Sequence, residues 1–297
     1  MHPQDLLGTL RDQNPLVHCI TNYVAMNVAA NVVLAAGASP AMVHAEEEIA
    51  EFTPLCGALT INIGTLSKHW AASMIASARC ANDKGIPWVL DPVAHFISTY
   101  RKGVAQELLV LRPTIMRGNA SEVMAMAGEA GCGKGADSGD SVEAAENAAR
   151  SIARSHGCVV AVTGPTDFVT DGVQSARVAG GSEIMPMVTA LGCSQTALMG
   201  AYAASGPDFE AAIATLAHFK VAGRKAAQQA KGPGSFQMHF LDALPSLAAS
   251  TVPSMPFFTP SSLSLRPNTI RSPGAKARLP VAVESITSCS ASSPRSA

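Results

Sequence analysis

Short apolar segments alternate with longer segments of helical character along most of the chain. The predicted strands cover residues 40–44, 58–63, 87–90, 113–116 and 158–163. The predicted helices cover residues 21–36, 67–84, 141–155, 192–204, 208–230 and 235–244. Three of these helices stop at a glycine, which readily adopts the left-handed conformation at a helix end. Strands that alternate with helices in this way are typical of a wound α/β fold.

A β-hairpin is predicted after the last of these strands. Residues 167–170 and 173–178 flank the dipeptide Asp171–Gly172. An Asp-Gly pair between two strand-like segments favours a tight turn, so we expect the two segments to pair antiparallel.

The composition changes beyond Pro245. Residues 246–297 contain 13 serines and 7 prolines in 52 positions, without sustained apolar periodicity. Such a segment cannot bury enough apolar surface to offset the entropy lost on ordering. We therefore predict a folded domain at residues 1–245 and a disordered tail at residues 246–297. A regulatory arm, or out-of-frame sequence past the natural end, remains the alternative for the tail.

Composition and charge narrow the class of protein. Of the 297 residues, 47% are hydrophobic and 14% are charged, which provides material for a large core. The formal net charge of −1 gives no electrostatic case for binding nucleic acid or an anionic membrane. The seven cysteines show neither zinc-ligand nor redox-pair spacing. Because residues 1–12 lack an apolar signal segment, we expect free thiols and a cytoplasmic protein.

Residues 128–134 match the first part of a P-loop, G-x-x-x-x-G-K. The next residue is Gly135 instead of the serine or threonine whose hydroxyl would hold Mg²⁺. The segment also follows a helix rather than a strand, so we interpret it as a glycine-rich loop.

A candidate anion site lies at residues 189–194 (TALGCS), directly before a predicted helix. Small residues there allow backbone N–H groups to converge at the helix N-terminus, where the dipole favours a phosphoryl group or an oxyanion. The same dipole predicts a lowered pKa for the thiol of Cys193. A buried cysteine at a strand-to-helix corner explains this segment equally well.

Two carboxylates are further candidates for a site. Asp91 follows the predicted strand at residues 87–90, where Asp-Pro forces an extended turn. Glu122 stands three residues after Asn119, a spacing that also fits a helix cap. The alternatives are therefore a turn role for Asp91 and a capping role for Glu122.

Several of the candidate residues lie at the ends of predicted strands. In a wound sheet, ligands bind at the carboxyl ends of the strands. Asp91, Arg117 and Thr163 all lie at such ends. Together with Cys193, they are expected to converge on one crevice.

Eight segments resemble the hydroxyethylthiazole kinase family closely, in order along the chain. They are residues 14–22 (NPLVHCITN), 34–42 (LAAGASPAM), 90–93 (LDPV), 117–122 (RGNASE), 162–164 (VTG), 167–172 (DFVTDG), 192–193 (GC) and 232–236 (GPGSF). The resemblance extends over about residues 5–245, and the tail has no counterpart in it.

The resemblance implies a ribokinase-like α/β fold, with a central, mostly parallel sheet flanked by helices on both faces. It also implies transfer of the γ-phosphoryl group of ATP to the hydroxyl of hydroxyethylthiazole, a reaction of thiamine salvage. The family forms homotrimers with active sites at subunit interfaces, so the same assembly is expected here. Residues 1–245 would then be the catalytic domain.

The same resemblance implies roles on the acceptor side of the site. Met42 would contact the thiazole, with Asn22 and Ala190 nearby. Gly192 would belong to the anion loop. Cys193 would take the position where many ribokinase relatives place an aspartate base.

On the nucleotide side, the resemblance implies that Arg117 and Thr163 contact the phosphates of ATP. Asp91 and Glu122 would order Mg²⁺, partly through water. This agrees with the residue types, because hard carboxylate oxygens suit Mg²⁺ and phosphoryl transfer mainly requires positioning and charge neutralisation.

One departure from the family pattern leaves alternatives open. The family usually has Gly-x-Gly-Cys where this chain has Ala190–Leu191–Gly192–Cys193. The methyl group of Ala190 is expected to narrow the substrate pocket, and Leu191 to alter closure over the phosphate. A kinase for a related pyrimidine alcohol and a catalytically weak thiazole-binding protein are therefore the alternative functions. A cysteine-nucleophile hydrolase is disfavoured because no motif places a base histidine near Cys193.

Overall fold

The computed structural model describes residues 2–3, 5–129 and 139–247, which form an eight-stranded sheet between two layers of helices. The strands are β1 (Leu16–Ile20), β2 (Ser39–Ala41), β3 (Ala58–Asn62), β4 (Trp88–Asp91), β5 (Ile115–Asn119), β6 (Val159–Thr163), β7 (Thr166–Thr170) and β8 (Ser175–Ala179). The helices are α1 (Leu6–Gln13), α2 (Met26–Ala36), α3 (Ile49–Phe52), α4 (Lys68–Lys84), α5 (Thr99–Val110), α6 (Ala120–Met126), α7 (Val142–His156), α8 (Leu191–Ala203), α9 (Asp208–Gln229) and α10 (Pro233–Ala243).

The sheet is mostly parallel. Its strand order is β2-β1-β3-β4-β5-β6-β7-β8, and the first six strands are parallel. The hairpin β7–β8 then adds two antiparallel strands at one edge. Every residue of the central strands β3 and β4 is buried, as expected where helices cover both faces. The predicted α/β fold is confirmed.

Alternate residues of each strand supply the two halves of the core. One hydrophobic cluster joins Trp88 and Leu90 of β4 to helices α4, α5, α6 and α7. On the opposite face, Val17 of β1 packs with α1, α2, α8, α9 and α10, and Val89 packs with α8 and α9. The N-terminus of α8 therefore reaches the carboxyl edge of the central strands.

The predicted glycine stops are confirmed. Gly37, Gly85 and Gly157 follow α2, α4 and α7, with φ values of 105°, 66° and 65°. A side chain is strained in this left-handed region, so glycine ends a helix there at little conformational cost.

Several predicted element boundaries were wrong; the strand predicted at residues 40–44, for example, is Ser39–Ala41. The helix predicted from residue 21 begins at Met26, because the side chain of Asn22 accepts hydrogen bonds from the backbone N–H groups of Val24 and Ala25. The strand predicted at residues 113–116 occupies Ile115–Asn119 instead. Arg117 consequently lies within β5, not beyond its end.

The turn of the hairpin is longer than predicted. Asp171 Oδ1 accepts hydrogen bonds from the backbone N–H groups of Val173 and Gln174, each at 2.8 Å. The turn therefore spans residues 171–174, and β8 begins at Ser175. Because the side chain of Asp171 binds these N–H groups, it stabilises this longer turn in place of the predicted two-residue turn.

The predicted strands and helices lack five elements, namely α1, α3, α5, α6 and β1. In β1, the polar residue His18 interrupts the apolar pattern. The histidine can be buried there because its ring forms hydrogen bonds inside the protein. Charged residues and Gly103 obscure the helical pattern of α5.

Two predictions concern regions that the structure leaves undescribed. The tail, apart from Ser246 and Leu247, and the P-loop-like segment from residue 130 onward lie outside the described residues. Within the described part of the chain, no helix combines the length and apolar character that crossing a membrane requires.

Candidate active site

The candidate site lies where the carboxyl edge of the parallel strands meets the N-terminus of α8. Asn62, Asp91 and Thr163 are the last residues of β3, β4 and β6. Arg117 is the third residue of β5, in register with Ala161 of β6. Adjacent parallel strands thus bring polar side chains from distant parts of the chain to one edge, as predicted.

The two carboxylate oxygens of Asp91 have different surroundings. Oδ2 accepts hydrogen bonds from Asn62 Nδ2 and Thr196 Oγ1, both at 2.7 Å, and from Arg117 Nη1 at 3.4 Å. Oδ1 is buried and has no hydrogen-bond partner in the described part of the chain. Burial raises the pKa of Asp91, and the charge of Arg117 opposes this change. The carboxylate is therefore oriented through one oxygen, and its second oxygen is available to a ligand.

Arg117 joins the two sides of the crevice. Its guanidinium pairs with Asp91 at 3.4 Å, and Nη2 donates a hydrogen bond to Thr163 Oγ1 at 2.8 Å. The same guanidinium lies against Gly192, where an added Cβ would be 3.0 Å from Nη2. Glycine at this position therefore allows the cation to lie against the first turn of α8.

Glu122 is held by the backbone. It forms a capping box with Asn119 at the start of α6, so its Oε2 accepts from the N–H of Asn119 at 2.8 Å. Its Oε1 accepts from the N–H of Ala94 at 2.9 Å. Burial, together with the nearby charge of Asp91, raises the pKa of Glu122 to about 7. The predicted capping alternative is confirmed, and the cap also holds an acidic group close enough to Asp91 for their charges to interact.

Cys193 is the third residue of α8 and lies beside two asparagines. Asn22 Nδ2 donates hydrogen bonds to Cys193 Sγ at 3.3 Å and to Asn62 Oδ1 at 2.8 Å. Burial, with a further contribution from the charge of Asp91, raises the pKa of Cys193 to about 11. The predicted lowering of this pKa was wrong, because desolvation of the thiolate outweighs the favourable helix terminus.

Ala190 and Met42, the two other residues predicted to contact substrate, border one hydrophobic cluster. Ala190 precedes α8 with φ 65° and ψ 4°, a left-handed conformation that is unusual for alanine. Met42 follows β2 at the edge of the sheet, three strands from β4 in the strand order. Both side chains are partly buried against the same hydrophobic cluster. Met42 therefore lies apart from the polar residues around Asp91.

The sequence analysis missed two residues that orient Asp91. Asn62 ends β3, and its position at the end of an apolar strand was a signal that could have identified it. Thr196 lies one helical turn after Gly192, on the side of α8 that faces the sheet. In the sequence, Thr196 looks like any other polar residue of a helix, so no distinct signal indicated its contact with Asp91.

The donor groups fit a hard divalent cation that retains water ligands. In residues 5–129 and 139–247, no cluster of three or more histidine, cysteine or acidic side chains could enclose a metal ion. The unpartnered Oδ1 of Asp91 provides one free carboxylate oxygen, and both oxygens of Glu122 are engaged by backbone N–H groups. Direct ligation by Asp91, with Glu122 acting through water, suits Mg²⁺, which usually keeps several waters.

Comparison with known proteins identifies the relatives of this chain. A family model for the hydroxyethylthiazole kinase family matches residues 7–250. A hydroxyethylthiazole kinase of Roseobacter denitrificans is 74% identical over 244 residues, which cover 82% of this chain and 95% of that protein.

Solved structures show the same relationship. The hydroxyethylthiazole kinase protein of Pyrococcus horikoshii has a TM-score of 0.79 at 38% identity, covering 84% of this chain and 95% of that chain. A ribokinase-like superfamily protein of Enterococcus faecalis has a TM-score of 0.60 at 10% identity, covering 82% and 93%. The second likeness shows the fold alone and confirms the predicted ribokinase-like architecture. The family match and the sequence identity together show that the chain belongs to the hydroxyethylthiazole kinase family.

Proposed function

We propose that this protein transfers the γ-phosphoryl group of ATP to the hydroxyl of hydroxyethylthiazole, as a step of thiamine salvage. One observation carries the proposal. Beside the N-terminus of α8, Arg117 forms an ion pair with Asp91 and a hydrogen bond to Thr163, while the second carboxylate oxygen of Asp91 is buried without a partner among the described residues. Phosphoryl transfer depends more on such positioned charges than on covalent chemistry from the protein.

Arg117, Thr163 and Gly192 would bind the phosphates of ATP. The guanidinium of Arg117 offers paired N–H donors, and its Nε has no hydrogen-bond partner among the described residues. Backbone N–H groups of the first turn of α8, at Gly192, lie beside it and favour an anion. Negative charge that develops on the transferring group would thus be met from two sides.

Asp91 and Glu122 would hold Mg²⁺ near these phosphates. Both carboxyl groups have raised pKa values because they are buried, so a divalent cation in their midst would offset the cost of ionising them. When bound, Mg²⁺ supplies neutralisation of phosphate charge. Asn62 and Thr196 would set its place by orienting Asp91 through their hydrogen bonds.

Cys193 would accept the proton of the substrate hydroxyl. With a pKa of about 11, roughly one thiol in ten thousand is ionised at neutral pH, so a preformed thiolate contributes little. Asn22 holds the sulfur by donating a hydrogen bond to it, which favours any negative charge that develops there. Proton transfer would therefore occur late, after the bond to phosphorus has begun to form.

The acceptor would bind on the apolar side of the site, against Met42 and Ala190.

We also propose a homotrimer with its active sites at subunit interfaces. Met42 lies at the sheet edge, and the exposed side chains of Tyr23 and Val24, next to Asn22, offer apolar surface to a neighbouring subunit. Light scattering coupled to size exclusion should give three times the mass of the chain, and a monomeric mass would contradict the assembly.

Product analysis tests the reaction itself. Phosphorus NMR of the protein with ATP, Mg²⁺ and hydroxyethylthiazole should show a thiazole phosphate, and a pyrimidine alcohol should give much less product. The isosteric variant Asp91→Asn is the matched control and should yield little product while remaining folded. Absence of thiazole phosphate at saturating ATP and Mg²⁺ would remove the proposal.

The role of Cys193 is tested by two substitutions. Cys193→Ala should lower kcat about 10²–10⁴-fold, the usual contribution of a general base, while the thiazole still binds. Cys193→Asp should retain activity with a pH optimum at lower pH, since a carboxylate ionises more readily than this thiol. Equal rates in parent and alanine enzymes would mean that Cys193 only packs.

A further inference from the structure

A buried ion pair lies beneath the turn that follows Thr163. Lys220 of α9 places its Nζ 3.3 Å from Asp167 Oδ1 of β7. The same Nζ donates hydrogen bonds to the carbonyl oxygens of Gly164 at 2.5 Å and Pro165 at 2.9 Å. All three N–H groups of the ammonium therefore have an acceptor, two of which belong to the turn.

The turn is also held by the acidic partner. The N–H of Gly164 donates to Asp167 Oδ1 at 2.8 Å. One backbone donor and two backbone carbonyls of residues 164–165 are thus bound by the side chains of the pair. This turn joins β6 to β7, so its position sets the end of the strand that carries Thr163.

Thr163 transmits this position to Arg117. Its hydroxyl accepts a hydrogen bond from Arg117 Nη2 at 2.8 Å and donates one to the carbonyl of Gly118 at 3.3 Å. The charge of Arg117 acts on the pKa of Asp167 from a distance, and the hydrogen-bonded path from the pair to Arg117 runs through the turn and Thr163. A shift of the turn would move the Thr163 hydroxyl away from the guanidinium.

Stability alone does not explain the pair. Lys220 is 7% exposed and Asp167 1% exposed, and Asp167 Oδ2 has no hydrogen-bond partner in the described part of the chain. A buried ion pair commonly stabilises a fold no more than apolar residues of similar size. The neighbours of Lys220 on α9, Phe219 and Val221, are apolar core residues. A buried lysine between these two residues is therefore unexpected unless its ammonium group binds the turn.

The path of the lysine side chain is shaped by two glycines. Gly180 and Gly181 follow β8 with φ values of 123° and 84°. A Cβ on Gly181 would lie 3.1 Å from Lys220 Cδ, and a Cβ on Gly180 would lie 3.4 Å from Lys220 Cβ. The aliphatic part of the Lys220 side chain thus packs against the backbone of these two glycines on its way to the turn.

We propose that Lys220 and Asp167 are positioning residues for ATP, which hold the turn at residues 164–165 and thereby the Thr163 hydroxyl beside Arg117. This inference rests on the proposed phosphate-binding role of Arg117 and Thr163. It assigns the pair an effect on nucleotide binding and none on the thiazole, because the acceptor side is built from other elements.

The test compares the kinetics of three full-length variants with the parent. Lys220→Met keeps the length of the side chain and removes the ammonium, so KM for ATP should rise on the order of tenfold while KM for the thiazole stays unchanged. The double variant Lys220→Met with Asp167→Asn removes the charge left unpaired. It should regain much of the lost stability, yet keep the raised KM for ATP.

Arg11→Met supplies the matched control. Arg11 also uses its cation to bind carbonyl oxygens, those of Leu244, Pro245 and Leu247, but at the end of α10. This variant should lose stability and leave KM for ATP unchanged. If the Lys220→Met single variant does not fold, the double variant carries the comparison.

The possible outcomes separate this inference from the proposed function. An unchanged KM for ATP in a folded Lys220 variant, or recovery of KM together with stability in the double variant, would overturn the positioning role while the parent still phosphorylates thiazole. If the parent binds ATP by calorimetry but gives no thiazole phosphate, the proposed function fails. In that case, the dissociation constants for ATP of the parent and the Lys220→Met variant test the inference, and the variant's value should be about tenfold higher. A parent that binds no ATP would overturn both.

Discussion

Replacement of Ala190 by glycine should stabilise this protein. Ala190 precedes α8 with φ 65° and ψ 4°, and the family pattern usually has glycine at this position. A left-handed conformation costs an L-residue roughly 1–2 kcal/mol because Cβ approaches the following carbonyl oxygen. Glycine avoids this contact.

The expected gain is smaller than the full strain. Glycine also increases the conformational entropy of the unfolded chain, which offsets about 0.4–1 kcal/mol. The net increase in the free energy of unfolding should therefore be about 1 kcal/mol. For a domain of this size, that corresponds to a rise of roughly 2–4 °C in Tm.

The measurement is urea and thermal unfolding of parent and variant under identical conditions. Ala72→Gly makes the same chemical change inside the regular helix α4 and should destabilise by about 0.5–1 kcal/mol. The two substitutions should thus have opposite signs. If Ala190→Gly lowers stability as much as Ala72→Gly, the backbone at residue 190 is not held in the left-handed region, and the reasoning fails. Removal of the methyl group should also widen the acceptor pocket, which a broader range of thiazole substrates would reveal.

Three further predictions follow from individual contacts. Gly192→Ala should displace the Arg117 guanidinium, whose Nη2 would lie 3.0 Å from the new Cβ, so KM for ATP should rise severalfold with a small change in Tm; an unchanged KM would contradict the close approach. Burial lowers the pKa of His218 to about 4 from 6.5, so the folded state binds its proton more weakly than the unfolded state. The free energy of unfolding should therefore fall by on the order of 3 kcal/mol as pH decreases from about 6.5 to 4, and His218→Gln should flatten this slope in pH-dependent denaturation. Deletion of residues 251–297 should leave Tm and activity nearly unchanged, whereas deletion from residue 244 onward should lower Tm, because it removes the carbonyl oxygens that Arg11 binds; equal Tm values for the two truncations would refute this.

Local features of the sequence were sufficient for the fold class and for much of the site. The alternation of apolar and helical segments predicted the wound sheet, and glycine stops are local because the left-handed conformation depends on one residue. Asp91 and Thr163 were placed at strand ends, and parallel strands necessarily bring such ends to one edge. The meeting of Asp91, Arg117 and Thr163 at one edge of the sheet could be predicted to that extent.

Tertiary structure alone decided the contacts and charges inside the site. Asn62 and Thr196 orient Asp91 from β3 and α8, and that pairing depends on strand order and helix packing. The direction of the Cys193 pKa was mispredicted for the same reason: a helix N-terminus is visible in the sequence, but the desolvation that raises the pKa to about 11 exists only once the chain has packed around the thiol. Lys220 and Gly164 are 56 residues apart, and nothing in either segment alone indicates that a buried ammonium meets that turn. Short-range patterns therefore determined which elements form, whereas burial and long-range contacts determined what their side chains can do.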